Sequence, residues 1–297
     1  MSLAPDSAAA LDLRRQAEGA AQALPPLLVA AEHLAAAVQM GGHGRRRAGA
    51  GEDFWQYRPA HPGDEARFVD WRRSARSDQQ YVRDREWQLA QSVHLWVDAA
   101  ASMRFSGGGD RPEKGARARL LALALAVLMI RAGERVGLTG PLAPPRPGRA
   151  QLMHLAGLLS SPAAAGDYGA PEVAAVMPRS RVVFLSDFLG DPAPVAAALG
   201  ALADRGVSGV MLQVLDPVEE DFPFDGRTIF ESMGGSLRHE TRQAGDLRAR
   251  YLARLAERRD RLAQLAGQAG WQFSTHHTGA PAQGALLWLH GALGRGR

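Results

Sequence analysis

Val93-His94-Leu95-Trp96-Val97-Asp98-Ala99-Ala100-Ala101-Ser102 is a short, mostly apolar run that stops at a carboxylate and passes into a loop of small residues. A run of this length, rich in branched and aromatic side chains and closed by a turn, fits a strand covered on both faces of a parallel sheet. The same texture recurs downstream. Val182 to Leu185 leads into Ser186-Asp187, and Val210 to Val214 leads through Leu215 into Asp216. Val136 to Leu138 and Trp271 to Thr275 complete five predicted strands. Helical periodicity fills the intervals, at Pro112 to Arg131, Gly148 to Leu159, Pro192 to Arg205, Asp246 to Gly267 and Gln283 to Leu293. Strands alternating with helices predict an α/β domain with a Rossmann-like parallel sheet flanked by helices.

Ligands of open parallel sheets sit beyond the carboxyl ends of the strands. Asp98, Asp187 and Asp216 each follow a predicted strand, so they converge above one edge if their strands are neighbours. Two readings of Asp98, Ser102 and Asp187 stand side by side. In one they gather a hard divalent cation, because Mg²⁺ takes oxygen ligands in octahedral array. In the other Asp98 and Ser102 cap the Pro112 helix region or neighbouring loop amides, and Asp187 caps the helix beginning at Pro192. A further reading joins Asp98, Asp187 and Asp216, with Glu219, in a Mg²⁺- or Mn²⁺-dependent phosphodiesterase or nuclease site.

Upstream of the sheet the chain is built differently. Residues 1–43 are rich in Ala and Leu, with Leu27, Ala31, Leu34 and Val38 at helical spacing, and predict an N-terminal helical arm. Residues 44–90 begin with the linker-like Arg45-Arg46-Arg47 among glycines and alanines. They continue with seven aromatic residues, many charges and the turn signal Pro62-Gly63-Asp64, which predicts a small β-rich lobe. Within it Arg67, Arg72, Arg73 and Arg76 lie close in sequence to Asp64, Asp70 and Asp78, and Trp71 offers a face on which a guanidinium stacks. Such a cluster serves either as an internal ion-pair brace or as an Arg-rich face for an acidic partner. Residues 91–297 form the α/β domain.

Composition removes several function classes. The chain has 297 residues, 46% of them hydrophobic and 22% charged, enough to bury a core without staples. It has no cysteine, so disulfides, thiolate metal sites and cysteine nucleophiles are absent. Thirty-five basic against 31 acidic residues leave a formal charge of +4, a small excess that makes nucleic acid an unexpected partner. Lys114 is the only lysine. It follows Gly107-Gly108-Gly109 without the Walker spacing, so that stretch reads as a surface loop and not as a phosphate cradle. No Ser lies in a nucleophile elbow, and His276 and His277, adjacent on a strand, point to opposite faces. The apolar run Leu120 to Ile130 is about half a bilayer span, and no basic n-region with an apolar core opens the sequence, which predicts no membrane span and a cytoplasmic location.

Two motifs resemble known families. Asp98-Ala99-Ala100-Ala101-Ser102 resembles the D-x-S-x-S loop of von Willebrand factor A-like domains, whose aspartate and hydroxyls, with a threonine and an aspartate from later loops, hold Mg²⁺ or Mn²⁺. Here Ala100 replaces the first hydroxyl, so the resemblance implies a degenerate metal-ion-dependent adhesion site at Asp98, Ser102 and Asp187. Gly51-Glu52-Asp53-Phe54-Trp55-Gln56-Tyr57-Arg58-Pro59, Pro62-Gly63-Asp64, Arg67, Asp70-Trp71-Arg72-Arg73-Ser74-Ala75-Arg76 and Tyr81-Val82-Arg83 resemble the signature of the bacterial domain of unknown function 58 family. That resemblance implies a von Willebrand A-like fold, a partner of the MoxR-type AAA+ ATPase class, and a non-catalytic adaptor role in a chaperone system.

Overall fold

The computed structural model describes residues 25–41, 54–60, 69, 71–75, 81–85, 90–140, 142–161 and 166–294. The chain divides into two compact units, Gly44–Ala90 and the remainder, Met1–His43 with Gln91–Arg297.

In the larger unit, β3 (Ser92–Val97), β4 (Arg135–Leu138), β5 (Arg181–Ser186), β6 (Ser208–Leu215) and β9 (Gln272–His277) form one parallel sheet in the order β4-β3-β5-β6-β9. The smaller unit contributes β1 (Phe54–Pro59) and β2 (Tyr81–Arg85), paired antiparallel, and a short helix α2 (Trp71–Ser74). A third pair, β7 (Thr228–Glu231) and β8 (Arg238–Thr241), forms an antiparallel hairpin in the larger unit that the sequence reading does not contain.

The central strands are buried on both faces, which is why they read as largely apolar runs, with His94 and Gln213 as buried polar exceptions. On one face Val93, Leu95, Val183, Leu185, Val210 and Leu212 pack against α1 (Pro26–Gly41), α3 (Lys114–Arg131), α4 (Arg149–Leu159) and α8 (Ala282–Gly294). On the other face Val182, Phe184 and Met211 meet α5 (Pro192–Ala203) and α7 (Gly245–Gln268). The alternation Val182, Val183, Phe184, Leu185 thus divides one strand between two cores, as the two-residue period of a strand requires. Phe184 stands edge-on to Trp96 at 5.3 Å and tilted against Trp271 at 5.1 Å, and each buried aromatic of this kind contributes about 1.5–3 kcal/mol through apolar burial.

Helix α3 explains the longest apolar run. Leu121 to Met129 is buried on every side because α3 lies under the sheet and beneath α1, whose Leu28, Ala31, Leu34, Ala35 and Val38 close over it. No helix among the described residues is long and apolar enough to cross a membrane.

The order of the strands positions the site. The strands carrying Asp98, Asp187 and Asp216 are immediate neighbours, β3 beside β5 and β5 beside β6, so the three carboxylates share one stretch of the carboxyl edge. After β6 the chain makes one short helix, α6 (Pro217–Asp221), before the hairpin. Its start is a capping box: Asp216 accepts from the Val218 amide, and the Glu219 carboxylate accepts from the Asp216 amide.

Candidate functional site

At the carboxyl edge the chain places its only lysine. Lys114 opens α3, where the unpaired amides make the helix end electropositive and an ammonium is disfavoured. Two carboxylates offset this. The Nζ of Lys114 donates to Asp187 Oδ2 at 2.9 Å and to Glu219 Oε1 at 2.6 Å, and it stands 5.5 Å from the centre of the Phe105 ring. The lysine and Asp187 side chains are each 1% exposed and Glu219 12%. Burial pulls the Lys114 pKa down, but Asp187 and Glu219 together outweigh it and hold the ammonium above its ordinary value. Burial raises Glu219, with the ammonium working against that rise.

Asp98 is satisfied separately. Its Oδ1 accepts from the Ala100 amide at 2.9 Å, its Oδ2 accepts from the Ser186 hydroxyl at 2.7 Å, and the Gly169 amide donates to the same carboxylate. Burial nevertheless raises its pKa, with those three donors opposing and the nearby Asp187 adding to the rise. Gly169 is required by contact: a Cβ there would collide with the Asp98 carboxylate. Ser186 in turn accepts from the Phe188 amide at 2.9 Å, and Gln213 donates to the Asp187 carbonyl at 2.9 Å.

Ser102 is brought to the same edge, in the 3-10 turn Ala101–Arg104, with its Oγ buried and without a hydrogen-bond partner. It lines a cavity of about 140 Å³ together with Lys114, Phe105, Tyr168, Glu219 and Met233. The loop 166–169 closes over the edge, since the Ser102 amide donates to the Asp167 carbonyl at 2.9 Å. The Asp167 side chain ties that loop to the β7–β8 hairpin by accepting from the hydroxyls of Ser232, at 2.9 Å, and Ser236.

These oxygens do not fit Mg²⁺. Octahedral Mg²⁺ needs six oxygens at about 2.0–2.1 Å. The inner carboxylate oxygens here are taken by amides, a hydroxyl and an ammonium, and the space beside Asp98, Tyr168 and Gly169 is only about 10 Å³. Among the described residues no group of three His, Asp or Glu is arranged to hold a metal. Asp187 does not cap the helix that begins at Pro192, for Asp191 takes that place by accepting from the Ala193 amide at 2.9 Å. Asp187 instead accepts from Leu189 at 3.0 Å and carries the lysine.

Asp216, though near in sequence to Glu219, faces elsewhere. Thr278 donates to its Oδ2 at 2.9 Å and Arg111 lies at 3.3 Å. Burial works against its ionisation, but these donors, with the Val218 and Gly107 amides, hold its pKa below the ordinary value. His276 accepts from Arg117 at 2.9 Å if its Nε2 is unprotonated, and burial, with Arg117 and His277 adding, lowers its pKa to about 4. His277 faces Glu220 at 2.5 Å, so the pair diverges as strand geometry dictates. In the smaller unit Trp71 and Arg72 are exposed on α2 and Arg73 belongs to the same helix, while Arg67, Asp70 and Arg76 lie outside the described residues.

The sequence reading missed Lys114 and Glu219 as a pair. A signal existed, since a lone lysine at a helix start needs a nearby anion, but 105 residues separate the two.

A family model described as "Protein of unknown function DUF58" matches residues 56–261, well over half of the chain. The chain belongs to the DUF58 family. Among solved structures, the DUF58 chain is similar to a conserved hypothetical protein BatB from Bacteroides thetaiotaomicron, at 14% identity and TM-score 0.35. The match covers 69% of this chain and 100% of that one. An aerotolerance-related membrane protein from Bacteroides fragilis NCTC 9343, carrying multiple mutations to serine, is similar at 13% identity and TM-score 0.36 over 69% and 100% of the two chains. An uncharacterized membrane spanning protein from Vibrio fischeri is similar at 15% identity and TM-score 0.20 over 66% and 95%. No curated protein sequence matches the DUF58 chain.

Proposed function

We propose that this DUF58 protein is a non-catalytic interaction subunit, an adaptor that works in the cytoplasm with a MoxR-type AAA+ ATPase and meets it at the carboxyl edge of the sheet. The observation that carries the reading is a closed polar site beside exposed apolar side chains. Tyr168 and Met233 line the cavity over Lys114 and are 43% and 45% exposed, and Ile229 and Leu237, 48% and 61% exposed, stand on the same hairpin. Exposed apolar groups gathered in one place favour a macromolecular partner. Catalysis has less support, because Ser102 and Ser186 have no histidine partner among the described residues and the edge carboxylates are already held. The ATPase class comes from the family resemblance, and the exposed Trp71 and Arg72 of the smaller unit supply a second contact in this reading.

The test is biolayer interferometry between the purified chain and the MoxR-type ATPase of the same genome, with ATP present. Wild type should bind, and Met233→Asp with Leu237→Asp should weaken binding at least tenfold. Absence of binding overturns the reading. So does Mg²⁺- or Mn²⁺-dependent cleavage of single-stranded or duplex DNA that disappears in Asp98→Asn, which would establish the phosphodiesterase instead.

A further inference from the structure

Beside the lysine site lies a second cavity of about 430 Å³, within the range that encloses ligand-sized groups. Five aromatic rings line it, Phe105, Phe222, Phe224, Phe230 and Tyr251. Phe222 stacks on Phe230 at 5.6 Å, lies 4.9 Å from Tyr251 and meets Phe224 edge-on at 5.3 Å. Phe105 follows the turn Ala101–Arg104, Phe222 and Phe224 follow α6, Phe230 belongs to the hairpin and Tyr251 to α7. Phe222 reaches its place through a left-handed backbone, φ 42°, a conformation that costs a non-glycine residue free energy.

The mouth of this cavity is cationic. Arg250 and Arg254 of α7 line it, four residues apart and therefore on one helix face, together with the exposed His239. Like charges at that spacing repel, and neither arginine has a carboxylate within ion-pair reach among the described residues. The next arginines of the same helix are engaged: Arg258 donates to the carbonyls of Phe188 and Gly190, and Arg259 pairs with Glu220. Two guanidinium groups without a carboxylate partner thus stand side by side at the rim of the aromatic cavity. The one carboxylate in the wall, Glu219, is held by Lys114 and does not neutralise them.

We infer that this cavity is a docking site for an acidic, aromatic-bearing peptide segment of a partner protein, with apolar side chains against the Phe222–Phe230–Tyr251 wall and carboxylates on Arg250 and Arg254. This deepens the interaction-subunit reading and rests on it. Arginine provides the bidentate carboxylate contact and the aromatic wall the apolar one, so the site demands both chemistries at once.

The test is fluorescence anisotropy of the full chain with a fluorescein-labelled peptide of sequence EEFEDFLEE. Two control peptides replace either its phenylalanines and leucine by serine or its acids by lysine. Saturable binding is expected, weakened at least tenfold by either control and by Arg250→Glu with Arg254→Glu. Both arginines are solvent-exposed, so the double variant should keep its fold. The double variant should also gain affinity for the lysine peptide, which a merely damaged protein would not. Equal binding of the acidic peptide by wild type and the double variant overturns the inference. So does a site filled by dodecanoate but not by peptide, or self-association that the double variant abolishes. If the peptide binds as expected and the ATPase does not, the docking site stands and the ATPase reading fails. If the ATPase binds and the peptide does not, the docking site fails and the ATPase reading stands.

Discussion

Lys114→Met isolates the charge of the buried lysine, because methionine keeps an unbranched apolar stem and removes only the ammonium. In the variant Asp187, 1% exposed, and Glu219, 12% exposed, lose their shared counter-charge. Removing one partner of a buried ion pair costs about 3–5 kcal/mol, mainly because the remaining charge has neither water nor partner. The better solvation of Glu219 argues for the middle of that range, about 4 kcal/mol, a large share of the roughly 5–15 kcal/mol that holds a domain folded. Urea denaturation at pH 7, followed by the fluorescence of the buried Trp271, should show it. With a slope of about 2–3 kcal/mol/M, the midpoint falls by roughly 1.3–2 M. The pH dependence separates charge from packing. In the variant Glu219, whose pKa burial raises and the ammonium no longer pulls down, regains stability when protonated, so the gap to wild type should narrow from pH 7 towards pH 5. In wild type the raised Lys114 pKa makes its contribution fully present below the unfolded value of about 10.5 and lost as pH rises through the folded value. Adding Asp187→Asn and Glu219→Gln to Lys114→Met should restore at least half of the lost stability. A Lys114→Met protein as stable as wild type, or destabilised equally at every pH, would refute the reasoning.

The same lysine predicts indifference to metal. Mg²⁺ or Mn²⁺ at 5 mM should leave the wild-type melting temperature within about 1 °C, whereas an ion at a hundredfold excess over its Kd would add about 2.7 kcal/mol and shift it by several degrees. Gly169→Ala drives a methyl into the Asp98 carboxylate and should cost about 1–3 kcal/mol by thermal or urea unfolding, and a neutral result would mean that the loop 166–169 does not close on Asp98. His276, with its pKa lowered to about 4, is kept neutral in the fold while the unfolded chain protonates near 6.5, so stability is lost as pH falls through that window, by up to about 3 kcal/mol. In His276→Gln, which keeps an acceptor for Arg117, this part of the stability profile should flatten, and an unchanged acid limb would assign it to other groups.

The parallel sheet was legible in the amino-acid sequence because its central strands lie between two helical layers. Burial on both faces makes Val182 to Leu185 an unbroken apolar run and Val93 to Val97 one interrupted only by the buried His94, and the carboxylates that end them mark the edge at which polar groups return. The hairpin Thr228–Glu231 and Arg238–Thr241 escaped the same reasoning, because its four-residue strands are largely exposed and show no apolar run to count. The capping box at Asp216 and Glu219 was within reach of local pattern, since both partners lie within four residues. What only the tertiary structure decided was strand order and, through it, the company of Lys114. Local chemistry marks Asp98, Ser102 and Asp187 as oxygens suited to a dication. Placing β3 beside β5 and β5 beside β6 brings the start of α3 and the box of α6 to the same edge, across 73 and 105 residues of chain, and the cation found there is an ammonium of the protein itself. Sequence separation carries no information about such a pairing, because the free energy that fixes it belongs to the packed cores beneath the edge and not to the residues that meet there.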